Sequence, residues 1–305
     1  MSWKNELIKK VKSRVKENEP LAKHTTFRIG GPCDVYFEPA DVDDLSTGLA
    51  FLREERIPHE IVGQGSNLLF ADAGYRGCIV RIGRSTRTIE IDGRRAVAGS
   101  GVFLHQFVQQ LASQGLTGLE GLAGIPGTVG GALCMNAGAF DQTISDSLEW
   151  VEIIDETGST RRLSKKDLLF RYRWSIFQNI PDWVIVSAGF KLDQKPSGEI
   201  QEALNEFAEK RKKTQPWNYP SAGSFFKNPE GRSAGALIDH CGLKGRRIGN
   251  AMVSEVHANF IINAGGATSS DVTALMKEIQ EIVYQREGIR LDPEVRIIPA
   301  SRFDN

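Results

Sequence analysis

Hairpin-like strand pairs interleaved with helices, without a regular strand–helix alternation, predict an α+β fold rather than a doubly wound sheet. Two further observations support this. The 305 residues suit two domains, or one with a subdomain break. The stretch Asp193-Gln194-Lys195-Pro196-Ser197-Gly198, which has turn formers and no apolar residue, reads as a linker.

The elements follow in order. Trp3, Leu7, Val11 and Val15 recur every four residues among lysines, predicting an amphipathic helix stopped by Pro20. The narrow stripe favours an arm docked on the body over a membrane-lying helix. Cys33–Phe37 reads as a strand. Asp41–Arg56 reads as a helix with Leu45, Leu49 and Leu52 on one face and Asp41 as N-cap. Glu60–Val62 and Cys78–Ile82 read as strands, as do Thr88–Ile91 and Arg95–Ala98, before a helix at Phe103–Ser113 closed by Gly115. Glu149–Ile154 and Thr160–Leu163 form a hairpin pattern around Gly158, and Trp183–Phe190 a buried strand. Helices are expected at Glu199–Lys213 and at Ser270–Glu287, the latter capped by Gly288, with a last strand at Glu294–Ile298.

Composition excludes several classes. Thirty-eight basic residues balance 38 acidic ones, so no global field attracts nucleic acid or anionic membranes, and an anionic ligand must be held locally. Four scattered cysteines give neither a disulfide framework nor a CxxC pair, and the five histidines form no HExxH motif. No metal is expected. No run approaches the length of a membrane span and the N-terminus lacks a signal-peptide core, so a cytoplasmic location is expected.

Glycine carries the strongest chemical signal. It recurs every third residue from Gly115 through Gly130, with Gly131 added. That many glycines disfavour a helix by about 1 kcal/mol each, so the stretch is expected to be a loop. Its core, Gly124-Ile125-Pro126-Gly127-Thr128-Val129-Gly130-Gly131, offers backbone N–H groups to a pyrophosphate. Close strand packing explains this segment alone equally well. A second cluster, Gly63-Gln64-Gly65-Ser66-Asn67-Leu68, follows a strand but lacks the third glycine of the Rossmann turn, and no Gly-Lys pair supplies a Walker A loop. Two donor-rich turns suit a dinucleotide whose diphosphate is gripped from two sides.

Nine collinear segments carry a family resemblance: TTFRIGG (25–31), GQGSNLLF (63–70), GIPGTVGGA (124–132), NAGA (136–139), YRWSIF (172–177), SAGSFFKNP (221–229), LKGRRIG (243–249), HANFIIN (257–263) and EVRII (294–298). Together they resemble the UDP-N-acetylenolpyruvoylglucosamine reductases, flavoenzymes of peptidoglycan precursor synthesis.

The resemblance implies a helical arm (1–20), an FAD-binding domain of two α+β subdomains like those of the vanillyl-alcohol-oxidase flavoproteins (21–195, break near 83), and an α+β substrate-binding domain (199–305) whose last strand returns to the FAD domain. It implies non-covalent FAD, NADPH as co-substrate, UDP-N-acetylglucosamine enolpyruvate as substrate, and a monomer that neither binds nucleic acid nor enters a membrane. For the cofactor it points to Gly63, Gln64, Gly65, Ser66, Asn67, Leu68, Gly124, Ile125, Pro126, Gly127, Thr128, Gly130, Gly131, Asn136, Ala137 and Gly138. For catalysis it points to Arg173 as the cation stabilising an enolate, Ser224 as proton donor, and Glu294 as their partner, with a carboxyl pKa raised by the site. For the UDP-sugar it points to Tyr172, Asn228, Lys244, His257 and Arg296. Only 50 residues separate Arg173 from Ser224, which resembles the shorter class of the family, without a tyrosine-bearing loop over the substrate.

Overall fold

The computed structural model describes residues 2–301. Met1 and residues 302–305, which the sequence reading placed in the arm and the substrate domain, lie outside the described residues. The chain divides into two compact units, one of residues 1–16, 35–64 and 78–211, the other of residues 17–34, 65–77 and 212–305.

The first unit is built on an antiparallel five-stranded sheet in the order Thr160–Ser164, Leu148–Ile154, Val184–Lys191, Arg95–Gly99, Ile89–Asp92. The expected hairpins and the buried strand are all present in it. The helix Leu104–Ser113 buries Leu104, Phe107, Val108 and Leu111 in a core shared with Phe190 and Val151. A second core joins Leu45, Leu49 and Leu52 of the helix Val42–Glu54 to Cys78 and Val80. Asp41 caps that helix by accepting from the Asp44 N–H at 2.7 Å. Beneath it His59–Val62 runs parallel to Tyr75–Arg81, with Val62 opposite Arg81.

The second unit has a three-stranded sheet, Arg247–Ile248, Ala251–Val253 and Ile261–Asn263. The helix Ser269–Glu287 buries Val272, Leu275, Ile279 and Val283 in a core with Phe225 and Phe226. A capping box at Thr268 and Asp271 starts that helix, and Gly288 at φ +69° ends it in the left-handed region. The strand Arg296–Ile298 pairs in parallel with Leu68–Phe70, the segment that leaves the first glycine turn.

Four expectations need correction. The N-terminal helix ends at Lys10, and Val15–Pro20 is a strand. The Asp44 carboxylate accepts from Lys12 N at 2.6 Å and from the Ser13 hydroxyl, drawing the chain out of the helix after Val11. Leu7 and Val11 still pack into the second core, as a docked arm should. The glycine-rich stretch is not all loop: a helix runs from Val129 to Met135, with Gly130 and Gly131 in its first turn. Asp193–Gln194 pairs with Leu116–Thr117 and a helix starts at Ser197, so the supposed linker is mostly ordered structure. The last strand begins at Arg296, not Glu294. Among the described residues no helix is long and apolar enough to cross a membrane.

Candidate active site and cofactor cradle

In the first unit the two glycine-rich turns meet. A Cβ added to Gly63 would lie 2.6 Å from the Thr128 Oγ1, so only glycine permits the approach. Thr128 also caps the Val129–Met135 helix, its hydroxyl accepting from Gly131 N. The backbone N–H groups of Val129 and Gly130 donate to Val102 O and Ser100 O, both at 2.9 Å. A Cβ on Gly130 would reach Ser100 Cβ at 2.8 Å. Close backbone packing therefore accounts for part of the glycine pattern.

The rest suits a cofactor. Among the described residues Gln64 Oε1 and Asn136 Oδ1 are buried without a hydrogen-bond partner, and Asn136 is 5 % exposed. Buried acceptors cost free energy unless a donor meets them. A ligand carrying ribityl hydroxyls and a ring imide offers such donors, so these residues fit FAD.

Asn136 also connects cofactor turn and catalytic candidate. It ends the Val129–Met135 helix in a left-handed conformation, φ 44°, and its amide donates to Arg171 O at 2.9 Å. Arg171 and Trp174 bond each other through both backbone pairs, at 3.0 and 3.2 Å, leaving Tyr172 and Arg173 as a two-residue turn. Arg173 sits at φ 52°, a costly conformation for a long side chain. Its Nη2 donates to Gly138 O at 2.8 Å. Gln178 Nε2 bridges Arg173 O and Cys134 O, at 3.1 and 3.0 Å. The turn is thus fastened on both sides to the C-terminal end of the Val129–Met135 helix. Arg171 packs its guanidinium over the Trp174 ring, 5.3 Å from its centroid.

In the second unit Glu294 is joined through backbone to Phe225, the residue after Ser224. Glu294 N donates to Phe225 O at 2.8 Å, and Glu294 O accepts from Asn67 Nδ2 at 3.0 Å. Arg296 N donates to Asn67 O at 3.0 Å, and Leu68 stands opposite Arg296 in register. The proton-donor candidate, the acidic candidate and the Gly65–Leu68 part of the first turn therefore share one local frame. Gly65 is held at φ +69° with room for no Cβ, His24 O lying 2.2 Å from where one would stand.

A second group forms around the helix Ala234–His240. Asn228 Oδ1 accepts from Ala234 N at 3.0 Å, and a Cβ on Gly235 would lie 3.2 Å from His257 Cε1. Lys244 pairs with Asp239 at 2.7 Å. Burial, and to a smaller extent the Lys244 charge, hold the His257 imidazolium below its ordinary pKa, so the ring is neutral near pH 7. Its Nδ1 accepts from Asn259 N at 3.2 Å, which also requires an unprotonated Nδ1.

Sequence reasoning missed Asn259. It is 4 % exposed, accepts from Phe226 N at 2.9 Å and donates to Phe226 O at 2.8 Å, fixing the segment that carries Ser224. Its place in HANFIIN was the available signal.

Comparison with known proteins identifies the family. Residues 33–164 match the family model of an FAD binding domain, and residues 215–298 match that of the C-terminal domain of UDP-N-acetylenolpyruvoylglucosamine reductase. A reductase of that name from Caldanaerobacter subterraneus subsp. tengcongensis is 42 % identical over 297 residues, covering 96 % of this chain and 98 % of its own. The chain belongs to the UDP-N-acetylenolpyruvoylglucosamine reductase family. The Geobacter metallireducens reductase is 45 % identical over 288 residues, covering 94 % of this chain and 95 % of its own. The crystal structure of the Thermus caldophilus reductase superposes with a TM-score of 0.82 at 37 % identity, covering 94 % of this chain and 99 % of that one. As a member of this reductase family the chain is an FAD-dependent oxidoreductase with an α+β FAD-binding domain.

Proposed function

We propose that the chain reduces the enolpyruvyl ether of UDP-N-acetylglucosamine enolpyruvate to the lactyl ether of UDP-N-acetylmuramate, with NADPH as the electron source, in the cytoplasm. Bound non-covalently, FAD would supply a hydride carrier between the nicotinamide and the substrate's methylene carbon. Gln64 and Asn136 would hold it, with the glycine turns and Ala137–Gly138, inside an FAD domain spanning the arm-free N-terminal two-thirds; the C-terminal third would bind the substrate.

Hydride addition at the methylene leaves negative charge on the adjacent carbon and the substrate carboxylate. A planar guanidinium meets a carboxylate with two parallel hydrogen bonds, the role of Arg173. Its fastened turn supports this, because a preorganised cation gains most from charge that develops during the step. Ser224 supplies the proton to the carbanion-like carbon, which is basic enough to take one from an alcohol. Glu294 completes the pair of groups on the carboxylate. Tyr172, Asn228, Lys244, His257 and Arg296 hold the UDP-sugar, and a neutral His257 serves as a hydrogen-bonding group without competing for the diphosphate's counter-charge.

The observation that carries this reading is the backbone frame linking Phe225, Glu294 and Asn67, which ties the Ser224 segment to a cofactor turn. Its test is Ser224→Ala in stopped flow. Flavin reduction by NADPH should keep its rate, while reoxidation by the enolpyruvyl substrate slows at least about a hundredfold. Equal losses in both half-reactions would remove Ser224 as donor.

A further inference from the structure

Arg81 and Ser85 stand in none of the nine motifs, yet both carry buried polar atoms that nothing satisfies. Arg81 Nη1 and Ser85 Oγ are inaccessible to solvent and have no hydrogen-bond partner among the described residues. The charged and titratable groups that face Arg81 are Tyr36, Glu38 and Arg87, and among the described residues none forms an ion pair with it.

Their position is defined by both glycine turns. Arg81 stands opposite Val62, the residue before Gly63, and Ile82 N donates to Val62 O at 2.9 Å. On the other side, a Cβ on Gly101 would lie 2.2 Å from Gly83 O, and neighbouring Ser100 accepts from Gly130 N. The segment 81–85 is therefore wedged against the ends of both turns.

A guanidinium has five donors and no acceptor, so its missing partner must be an acceptor, and burial favours one bearing negative charge. The Ser85 hydroxyl, four residues on in the same segment, is a second buried group able to donate. Meanwhile the second turn has spent the Val129 and Gly130 N–H groups on Ser100 and Val102, so those amides are not free to neutralise a diphosphate. A chain of zero net charge needs a local cation for that task.

We infer that Arg81, assisted by Ser85, holds the diphosphate of FAD. The inference rests on the FAD assignment and names a counter-charge beside the second turn, whose Val129 and Gly130 amides are already used.

The test is titration of FAD into flavin-free protein, followed by flavin fluorescence at several salt concentrations. Arg81→Met should weaken FAD binding about ten- to a hundredfold, the scale of a charged hydrogen bond, and flatten the salt dependence of the dissociation constant. Ser85→Ala should weaken binding less and keep the wild-type salt slope. An Arg81→Met dissociation constant within threefold of wild type, or a weakened one with an unchanged slope, overturns the assignment. Arg81→Lys covers a misfolded methionine variant: it should keep the slope with a smaller loss, and wild-type affinity would count against the fork geometry. Absence of FAD binding by the wild type would instead sink the cofactor reading itself.

Discussion

Replacing Asn259 by alanine removes two hydrogen bonds at once, at 2.9 and 2.8 Å, from a side chain that is 4 % exposed. Phe226, whose N–H and C=O both lose their partner, is itself 1 % exposed, so water does not readily replace the amide. Each orphaned backbone group costs about 1–3 kcal/mol, which together with relaxation predicts a loss of about 2–4 kcal/mol. Asn259→Asp is the sharper probe. It retains an acceptor for Phe226 N but turns a carboxylate oxygen toward Phe226 O, so at neutral pH it should be at least as harmful as alanine. Lowering the pH through the carboxyl's titration restores a donor and should recover part of the loss. Urea unfolding followed by circular dichroism measures all three proteins. Ser224 lies two residues from this anchor, so the variants should also slow reoxidation of the flavin more than its reduction. An Asn259→Ala protein within 0.5 kcal/mol of wild type would refute the claim that this amide fixes the Ser224 segment.

Further outcomes follow from the same contacts. Gly63→Ala, placing a Cβ 2.6 Å from Thr128 Oγ1, should give a folded but flavin-poor protein, measured by the ratio of flavin to protein absorbance. Lys244→Ala should raise the substrate KM with little change in kcat; an unchanged KM disqualifies it as a diphosphate contact. Because His257 titrates below its ordinary 6.5 in the folded chain, the unfolded chain binds more protons. Its contribution to stability is thus complete above about pH 6.5 and is lost as pH falls toward the folded value. Melting temperatures of His257→Gln should accordingly decline less than wild type between pH 7 and 5. Burial pushes the Cys33 thiol up to about 12, so a native thiol assay at pH 8 should leave it unlabelled and label half-buried Cys134 first.

Much of the architecture was legible because it is written in short-range patterns. The Leu45, Leu49, Leu52 stripe with its Asp41 cap, and the helix expected from Ser270 and ended by Gly288, depend on residues within a few turns. The failures have long-range causes. Asp44, some thirty residues away, ends the first helix through Lys12 and Ser13. Ser100 takes the Gly130 N–H and packs against its Cα, allowing a helix where glycine propensity argued for loop. The site divides in the same way. Glycine turns and the Tyr172–Trp174 motif announce themselves by composition and resemblance. Arg81 and Ser85 stand in no motif, and Asn259 lies in one that does not show its role, since an amide anchoring backbone and an unsatisfied guanidinium become visible only when burial and partners are known.

The central claim is that this site passes electrons from a nicotinamide to an enolpyruvyl carbon. The most direct measurement is anaerobic: reduce the bound flavin with one equivalent of NADPH, add UDP-N-acetylglucosamine enolpyruvate, and follow the flavin absorbance. Stoichiometric return of the oxidised spectrum with formation of the lactyl ether is the expected result. A flavin that stays reduced in the presence of that substrate, or that is never reduced by NADPH, would contradict the account.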